Sequence, residues 1–100
     1  RLSVVSRPTA TWILPNKGGC LARPRAQLQV VAGSNATISS VGFFDGKRQI
    51  ARVRKHVAGV YTFNWRTAGK RRGKHVLTAV VSDTRGREVE TARSVRICGR

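Results

Sequence analysis

Two cysteines and two histidines are the side chains of this sequence that could bind a metal ion or act in nucleophilic chemistry. A zinc site needs about four ligands, so a site built from these side chains alone would need Cys20, Cys98, His56 and His75 at one place. The two histidines fall in segments that we expect at opposite ends of the fold, and neither has an obvious nucleophile to activate. The cysteines could also form a disulfide bond or remain free thiols.

Four carboxylates are available for acid–base chemistry, at Asp45, Asp83, Glu88 and Glu90. Hydrolysis by a carboxylate pair needs two such groups held at a defined separation. Asp45 and Asp83 stand in predicted turns, where an aspartate commonly accepts hydrogen bonds from the N–H groups of its own turn. The sequence also lacks a glycine-rich loop that could cradle a phosphate. It therefore predicts that the chain is not an enzyme and that it uses no cofactor.

The sequence is strongly basic, because 20 lysines and arginines oppose four acidic residues and give a formal net charge of +16. Such a charge attracts polyanions, including nucleic acids, anionic lipid surfaces and acidic cell-wall polymers. The arginines are, however, scattered along the whole chain. A coding bias that places arginine at exposed positions would produce the same distribution. The sequence keeps both explanations open.

Apolar residues recur at every second position over several short runs, which is typical of strands that bury one face. The alternation is clearest at Tyr61, Phe63 and Trp65, and no run has helical periodicity. Turn residues separate the runs, and the pair Asp45-Gly46 is typical of a tight hairpin. The predicted strands cover Thr9 to Leu14, Ala26 to Ala32, Ser39 to Phe44, Gln49 to Val53, Tyr61 to Thr67, Lys74 to Ser82 and Glu88 to Cys98.

Strands of this length and spacing, without a helix, predict an all-β fold: an immunoglobulin-like or fibronectin-like antiparallel β-sandwich of about seven strands. A chain of 100 residues suits one domain with one core. We expect residues 1–100 to form that domain, with about the first eight as a linker or N-terminal extension. The residues expected in the core are Val30, Val41, Phe43, Tyr61, Phe63, Trp65, Leu77, Ala79 and Val81.

The apolar pattern does not fix the environments of Trp12 and Arg93. Trp12 lies on a predicted edge strand, where either a core position or an exposed platform for stacking a sugar is possible. Arg93 shares the inward parity of Val95 and Ile97. The last strand therefore either contains a β-bulge that turns Arg93 outward or holds it at the rim of the sandwich, with its stem packed and its head in water. We expect the rim.

Four short segments follow one another in a set order: Val41-x-Phe43-Phe44-Asp45-Gly46, Tyr61-Thr62-Phe63-x-Trp65, Gly73-x-His75-x-Leu77-x-Ala79 and Asp83-x-x-Gly86. In this order they resemble the bacterial immunoglobulin-like modules of extracellular and cell-wall proteins, over about Ala26 to Ile97. The resemblance implies a spacer or accessory module whose partners are the other domains of its parent chain. The two cysteines and the many arginines depart from the common pattern.

The expected connectivity brings the two cysteines to one pole of the sandwich. Cys20 follows the first strand and Cys98 ends the last, and both strands run toward the same end. A disulfide bond between them would close a long loop, worth about 4 kcal/mol in the chain-entropy account, and would imply an oxidising compartment. We favour the disulfide, with free thiols and a metal site as the alternatives.

The same connectivity gathers basic residues at that end, which we call the basic pole. Exposed cations on its loops could contact an acidic polymer through its backbone charges, without reading a sequence. These loops lack the aromatic residues that would stack on bases, so we do not expect specific nucleic-acid recognition. The candidate polyanion-binding residues are Arg23, Arg25, Lys47, Arg48, Lys70, Arg71, Arg72 and Lys74.

The sequence has no apolar run near the roughly 18 residues of a transmembrane segment. It contains no methionine, and we expect a C-terminal module cut from a larger, secreted or cell-surface bacterial protein. Two functions are compatible with these observations. One is a non-catalytic structural or accessory module. The other is a targeting module that binds polyanions or cell-wall polymers and could be appended to an enzyme.

Overall fold

A computed structural model describes residues 8–15, 18–21, 24–33 and 37–98 as two antiparallel sheets packed face to face. The strands are β1 Thr9–Leu14, β2 Arg25–Gly33, β3 Ile38–Asp45, β4 Arg48–Val53, β5 Val60–Arg66, β6 Gly73–Asp83 and β7 Glu88–Ile97. One sheet has the strand order β1-β2-β5 and the other β4-β3-β6-β7. The predicted all-β sandwich is confirmed, and each strand boundary lies within one residue of its prediction. No helix occurs in the described ranges, so none there could cross a membrane.

The turn between β3 and β4 brings part of the basic pole into place. Asp45 pairs with Arg48, so the loop contains only Gly46 and Lys47. Gly46 has a φ of 61°, which glycine adopts without steric cost. A glycine at the first central position is typical of a type II′ turn, whose twist matches that of the flanking strands. The predicted hairpin is therefore present, with its centre on Gly46 and Lys47.

Phe43 lies at the centre of the core between the two sheets. Its ring centroid is 5.8 Å from that of Trp12 and 6.2 Å from that of Phe63. Fully burying a large apolar side chain contributes about 1.5–3 kcal/mol, so this cluster supplies much of the stability. Of the expected core residues, Val30, Val41, Phe43, Tyr61, Trp65, Leu77, Ala79 and Val81 are buried in one cluster, and Phe63 packs against it half-buried.

The seam between β1 and β7 settles the positions of Trp12 and Arg93. Trp12 is only 5% exposed, and its indole N–H donates to the Thr91 carbonyl at 3.1 Å. The idea of a sugar platform at Trp12 is therefore wrong. Arg93 is half-buried and donates from Nη1 to the Pro15 carbonyl at 3.3 Å. The pairing of β6 with β7 continues through Arg93 without a register shift, so the rim position holds and the bulge does not.

After β1 the chain moves to the other sheet. Cys20 pairs in parallel with Arg96 at the edge of β7, and the Leu21 N–H donates to the Arg96 carbonyl at 2.8 Å. The Arg96 N–H donates in turn to the Gly19 carbonyl at 3.0 Å. Cys20 and Cys98 form a disulfide bond across a Cα separation of 5.6 Å. The predicted disulfide is confirmed, and it fixes this crossing segment to the end of β7.

Candidate polyanion interface at the basic pole

Three segments meet at the basic pole through backbone hydrogen bonds. The Pro24 carbonyl accepts from the N–H groups of Thr67 at 2.8 Å and Ala68 at 3.1 Å, which joins the start of β2 to the loop between β5 and β6. The Gly46 N–H donates to the Val76 carbonyl at 3.0 Å, which joins the β3–β4 turn to β6. The loops that sequence reasoning brought together are therefore adjacent.

The candidate cations at this pole project from exposed positions. Arg23 lies outside the described residues, and the binding role of the whole set remains a prediction. Because every described member is exposed, no cation has to leave the core before it can contact a ligand. The exposed candidates are Arg25, Lys47, Arg48, Lys70, Arg71, Arg72 and Lys74.

Arg66 is a further cation of the pole that sequence reasoning missed. It is exposed, and it stands directly opposite Arg25 in the pairing of β2 with β5, so the two side chains leave the same face of the sheet. Like charges directly opposite each other in a sheet are destabilising, and a bound anion would relieve their repulsion. The outward parity of Arg66 can be read from the sequence, but its register with Arg25 requires the pairing of two distant strands.

His75 bridges two of these segments with both nitrogens of its ring. Its Nδ1 lies 2.9 Å from one carboxylate oxygen of Asp45 and 3.1 Å from the other. Its Nε2 lies 2.7 Å from the Arg71 carbonyl oxygen. The ring also meets the ring of Trp65 edge-on, with centroids 5.9 Å apart. His75 therefore connects the end of β3, the β5–β6 loop and the lower edge of the core.

These contacts raise the pKa of His75 above its ordinary value of 6.5. Burial lowers this pKa, since the side chain is only 11% exposed. The hydrogen bonds to the Arg71 carbonyl and to Asp45, together with the negative charge of Asp45, raise it by more, while the charge of Arg71 opposes them. The balance favours an imidazolium that offsets the charge of Asp45.

The Asp45 carboxylate does not bind its own turn, contrary to the sequence-based expectation. Asp45 is paired with Leu77 in the β3–β6 ladder, and His75 lies two residues earlier on β6. The carboxylate therefore reaches the imidazole instead. The expectation for Asp83 holds, because its Oδ1 accepts from the N–H groups of Arg85 and Arg87, both at 2.9 Å.

An open groove of about 550 Å³ lies along the β5–β6 loop. It runs between the β3–β4 turn and the start of β6, and its sides carry both the imidazole and exposed cations. A groove of this kind suits an extended, charged chain rather than an enclosed small molecule. Its lining residues are Asp45, Gly46, Arg71, Arg72, Lys74, His75 and Val76.

Solved structures share this arrangement of strands. The fibronectin(III)-like modules of Clostridium thermocellum CbhA match with a TM-score of 0.74 and 24% identity, over 89% of this chain and 94% of that one. The endo-β-1,4-mannanase from Thermotoga petrophila matches with a TM-score of 0.81 and 14% identity, over 97% of this chain and 21% of the enzyme. The PKD1 domain of Vibrio anguillarum Epp matches with a TM-score of 0.62 and 15% identity, over 94% and 96%.

The chain has an immunoglobulin-like fold. This confirms the fold implied by the resemblance of its sequence segments. Neither a protein-family model nor a curated protein sequence matches the chain. Because the identities to these solved structures are 24% or less, the similarity shows the fold alone.

The immunoglobulin-like domain also carries cations at its opposite pole, where sequence reasoning proposed no site. Arg54 and Lys55 in the β4–β5 loop and Arg85 in the β6–β7 loop are all exposed. A second open groove, of about 590 Å³, is lined in part by Arg54, Lys55, His56 and Val57. The positive charge is therefore distributed over both ends, and any site at the basic pole must be distinguished from the general charge of the molecule.

The described residues of the domain contain no group of three or more histidine, cysteine or acidic side chains that could hold a metal ion. His56 lies in the β4–β5 loop at the opposite pole from His75, and its Nδ1 accepts from the Gly59 N–H at 3.1 Å. Both cysteines are joined to each other. The groups that could have formed a metal centre are therefore committed to separate structural contacts.

Proposed function

We propose that this immunoglobulin-like domain is a non-catalytic accessory module of a larger protein that is secreted or displayed at the cell surface. The proposal rests on the structural roles of the side chains that could otherwise have been reactive. Cys20 is disulfide-bonded to Cys98, and His75 is paired with Asp45. The mannanase supports it, because the matching part is 21% of that enzyme. The disulfide supports an oxidising compartment.

A turnover assay on the purified chain tests the absence of catalysis. We expect no hydrolysis of β-1,4-linked glycans, peptides or phosphate esters above the buffer rate. Glu88 and Glu90 lie close together in sequence on β7 and both are exposed, so they are the residues to change if activity is found. Activity that copurifies with the folded chain and is lost in Glu88→Gln or Glu90→Gln would contradict the proposal.

A second candidate function is binding of acidic polymers at the basic pole. The observation that favours it is the pair Arg25 and Arg66, placed opposite each other beside further exposed cations. The nearby carboxylate of Asp45 contacts His75, whose raised pKa favours the charged form that offsets it. Nothing in this arrangement requires a particular polymer sequence, because the contacts would be made to repeated sulfate, phosphate or carboxylate groups.

A salt series with dextran sulfate, a polymer whose charge does not change with pH, tests this second candidate. Binding that releases counterions weakens linearly on a log–log plot against salt, with a slope close to the number of charge contacts. The triple variant Lys70→Gln, Arg71→Gln and Arg72→Gln removes three exposed cations from the basic pole. We expect it to lower affinity at least tenfold and to reduce the slope by about two to three.

A matched variant separates a site from a general charge effect. Arg54→Gln, Lys55→Gln and Arg85→Gln together remove the same charge from exposed positions at the opposite pole. A localised interface predicts a much smaller loss of affinity in this variant than in the basic-pole variant. Equal losses would contradict a binding site at the basic pole and would favour the alternative that arginine simply fills the exposed surface.

A further inference from the structure

His75 faces a hydrogen-bond acceptor on each side of its ring. One is the Asp45 carboxylate, at 2.9 Å from Nδ1, and the other is the Arg71 carbonyl, at 2.7 Å from Nε2. A neutral imidazole carries a proton on only one of its two nitrogens, whereas an imidazolium donates from both. The geometry is therefore complete only when His75 is doubly protonated.

The Arg71 carbonyl belongs to the loop that carries Lys70, Arg71 and Arg72. The first half of this loop is anchored to Pro24, whose carbonyl accepts from Thr67 and Ala68. In the second half, the bond from His75 fixes the Arg71 backbone beside the groove. His75 thus holds the part of the loop in which the cations are most concentrated.

We propose that protonated His75 clamps this loop in its binding conformation, so that the affinity of the basic pole for an acidic polymer falls when His75 loses its proton. This inference rests on the second candidate function above. A neutral ring must give up its bond either to Asp45 or to Arg71. The Arg71 backbone is released in those molecules that keep the proton on Nδ1, beside the Asp45 carboxylate. Apparent affinity then falls with the fraction of molecules in which the loop is ordered.

The charged surroundings of His75 agree with this role. Asp45 on β3 is the acidic group that faces the ring, and Arg71 in the loop is the cation that acts on it most directly. Arg72 and Lys74 line the same groove, and the neighbour from β5 is the uncharged Trp65. The favourable contacts keep the pKa of His75 above its ordinary value of 6.5 despite burial, so the clamp loosens at a higher pH than an ordinary histidine would require.

The test measures two properties of the whole chain between about pH 5.5 and 8.5, the range in which histidine titrates. The first is the protonation of both His75 ring nitrogens and the amide signals of residues 70–73, followed by NMR without polymer. The second is affinity for dextran sulfate at fixed salt. We expect the amide signals and the affinity to change with the same midpoint, with affinity about three- to tenfold lower at the alkaline end.

Three variants separate the clamp from simple loss of a charge. Lys70→Gln removes one exposed cation and leaves the clamp intact, so it should lower affinity equally at every pH. Asp45→Asn keeps an acceptor for Nδ1 but removes the charge that favours the imidazolium, so it should move the midpoint to lower pH. His56→Gln changes the other histidine, at the opposite pole, and should leave the pH dependence as it is.

Each outcome assigns the failure to one hypothesis. Binding that is present but independent of pH, or a His75 ring that carries one proton throughout this range, would overturn the clamp while leaving the binding site intact. Absence of binding at every pH would contradict the second candidate function itself, and the amide signals of residues 70–73 would still show whether the loop follows His75. A shared midpoint in both measurements, shifted by Asp45→Asn, would support the inference.

Discussion

The indole N–H of Trp12 donates to the carbonyl oxygen of Thr91 at 3.1 Å and so joins the first strand of one sheet to the last strand of the other. Trp12 also meets the ring of Phe43 in the core, with centroids 5.8 Å apart. One side chain therefore fills the interior and satisfies its polar atom at the seam. Arg93 closes the same seam by donating to the Pro15 carbonyl.

Truncating Trp12 should open this seam. We expect Trp12→Phe to cost about 1–3 kcal/mol, since it removes the hydrogen bond from the indole to the Thr91 carbonyl and part of the packed volume. Trp12→Ala should cost about 3–5 kcal/mol. Equilibrium denaturation in urea, with the disulfide intact, measures both. Equal, small losses in the two variants would show that Trp12 contributes little to the core.

Removing the disulfide should destabilise the domain without changing its fold. Replacing Cys20 and Cys98 together by serine frees a loop closed across 78 residues of sequence. The expected loss is about 4 kcal/mol in the free energy of unfolding. Reduction of the unmodified chain is the matched control and should give a similar loss. Unchanged stability in both would show that the crossing segment is held by its backbone pairing with β7 alone.

Most strands could be predicted from the sequence because apolar and polar residues alternate along them. A period of two residues determines which side chains of such a strand face the core. Trp12 could not be placed, because burial of an edge-strand residue depends on which strand of the other sheet lies beside it. The partner of Asp45 was missed for a similar reason. Its turn was correctly predicted, but His75 is thirty residues away in sequence and its position follows from the β3–β6 pairing.

At the basic pole too, some features follow from residues close together in the sequence, and others depend on the pairing of distant strands. Its loops could be assigned to one end from the strand directions, and the structure joins them through Pro24 and Gly46. The opposition of Arg25 to Arg66 depends on the register of β2 against β5, which the alternating pattern of either strand alone does not define. The bond from His75 to the Arg71 carbonyl has no signal in the sequence, because any residue type has a backbone carbonyl.

Ala58 offers a substitution that should raise stability. It has a φ of 52° and precedes Gly59 in a two-residue turn, across which Val57 and Val60 exchange both backbone hydrogen bonds. A positive φ at both central positions is typical of a type I′ turn, for which Asn-Gly is preferred. Ala58→Asn should therefore raise the free energy of unfolding by about 0.5–1 kcal/mol.

Thermal unfolding measures this gain as a higher Tm. Ala58→Val is the opposite control, because a β-branched residue tolerates a positive φ poorly, and it should lower the Tm. Both changes lie at an exposed position, so differences in core packing do not enter. A lower Tm in Ala58→Asn would show that the turn does not hold the left-handed conformation in solution.

His75 should make the stability of the domain depend on pH near neutrality. Its folded-state pKa is raised, so its contribution is fully present below the unfolded value of about 6.5 and is lost as pH rises through the folded value. The free energy of unfolding, measured in urea, should therefore fall as pH rises from the unfolded value through the higher folded-state value. His75→Asn should remove this fall, and His56→Gln should retain it. A fall of the same size in both variants would assign the effect to another group.

Asp83 should control stability at the acid end. Burial raises its pKa, but the N–H groups of Arg87 and Arg85 and the charge of Arg87 lower it below the ordinary value of 3.8. The guanidinium of Arg87 donates from Nε to Oδ2 at 3.0 Å. Because the folded-state pKa is depressed, the contribution of Asp83 is present above the unfolded pKa and is lost as pH falls through the folded value.

Asp83→Asn is the variant that isolates this contribution, because an amide keeps an oxygen acceptor for the turn but cannot carry the charge that Arg87 meets. We expect its Tm to lie below that of the unmodified chain at pH 6, and the difference to shrink as pH falls through the depressed folded-state pKa of Asp83, where the carboxylate becomes protonated as well. Glu90→Gln removes an exposed carboxylate on β7 and serves as the control for net charge. A deficit in Asp83→Asn that stays constant from neutral to acid pH would mean that the shape of the turn, rather than the charge of Asp83, stabilises the β6–β7 connection.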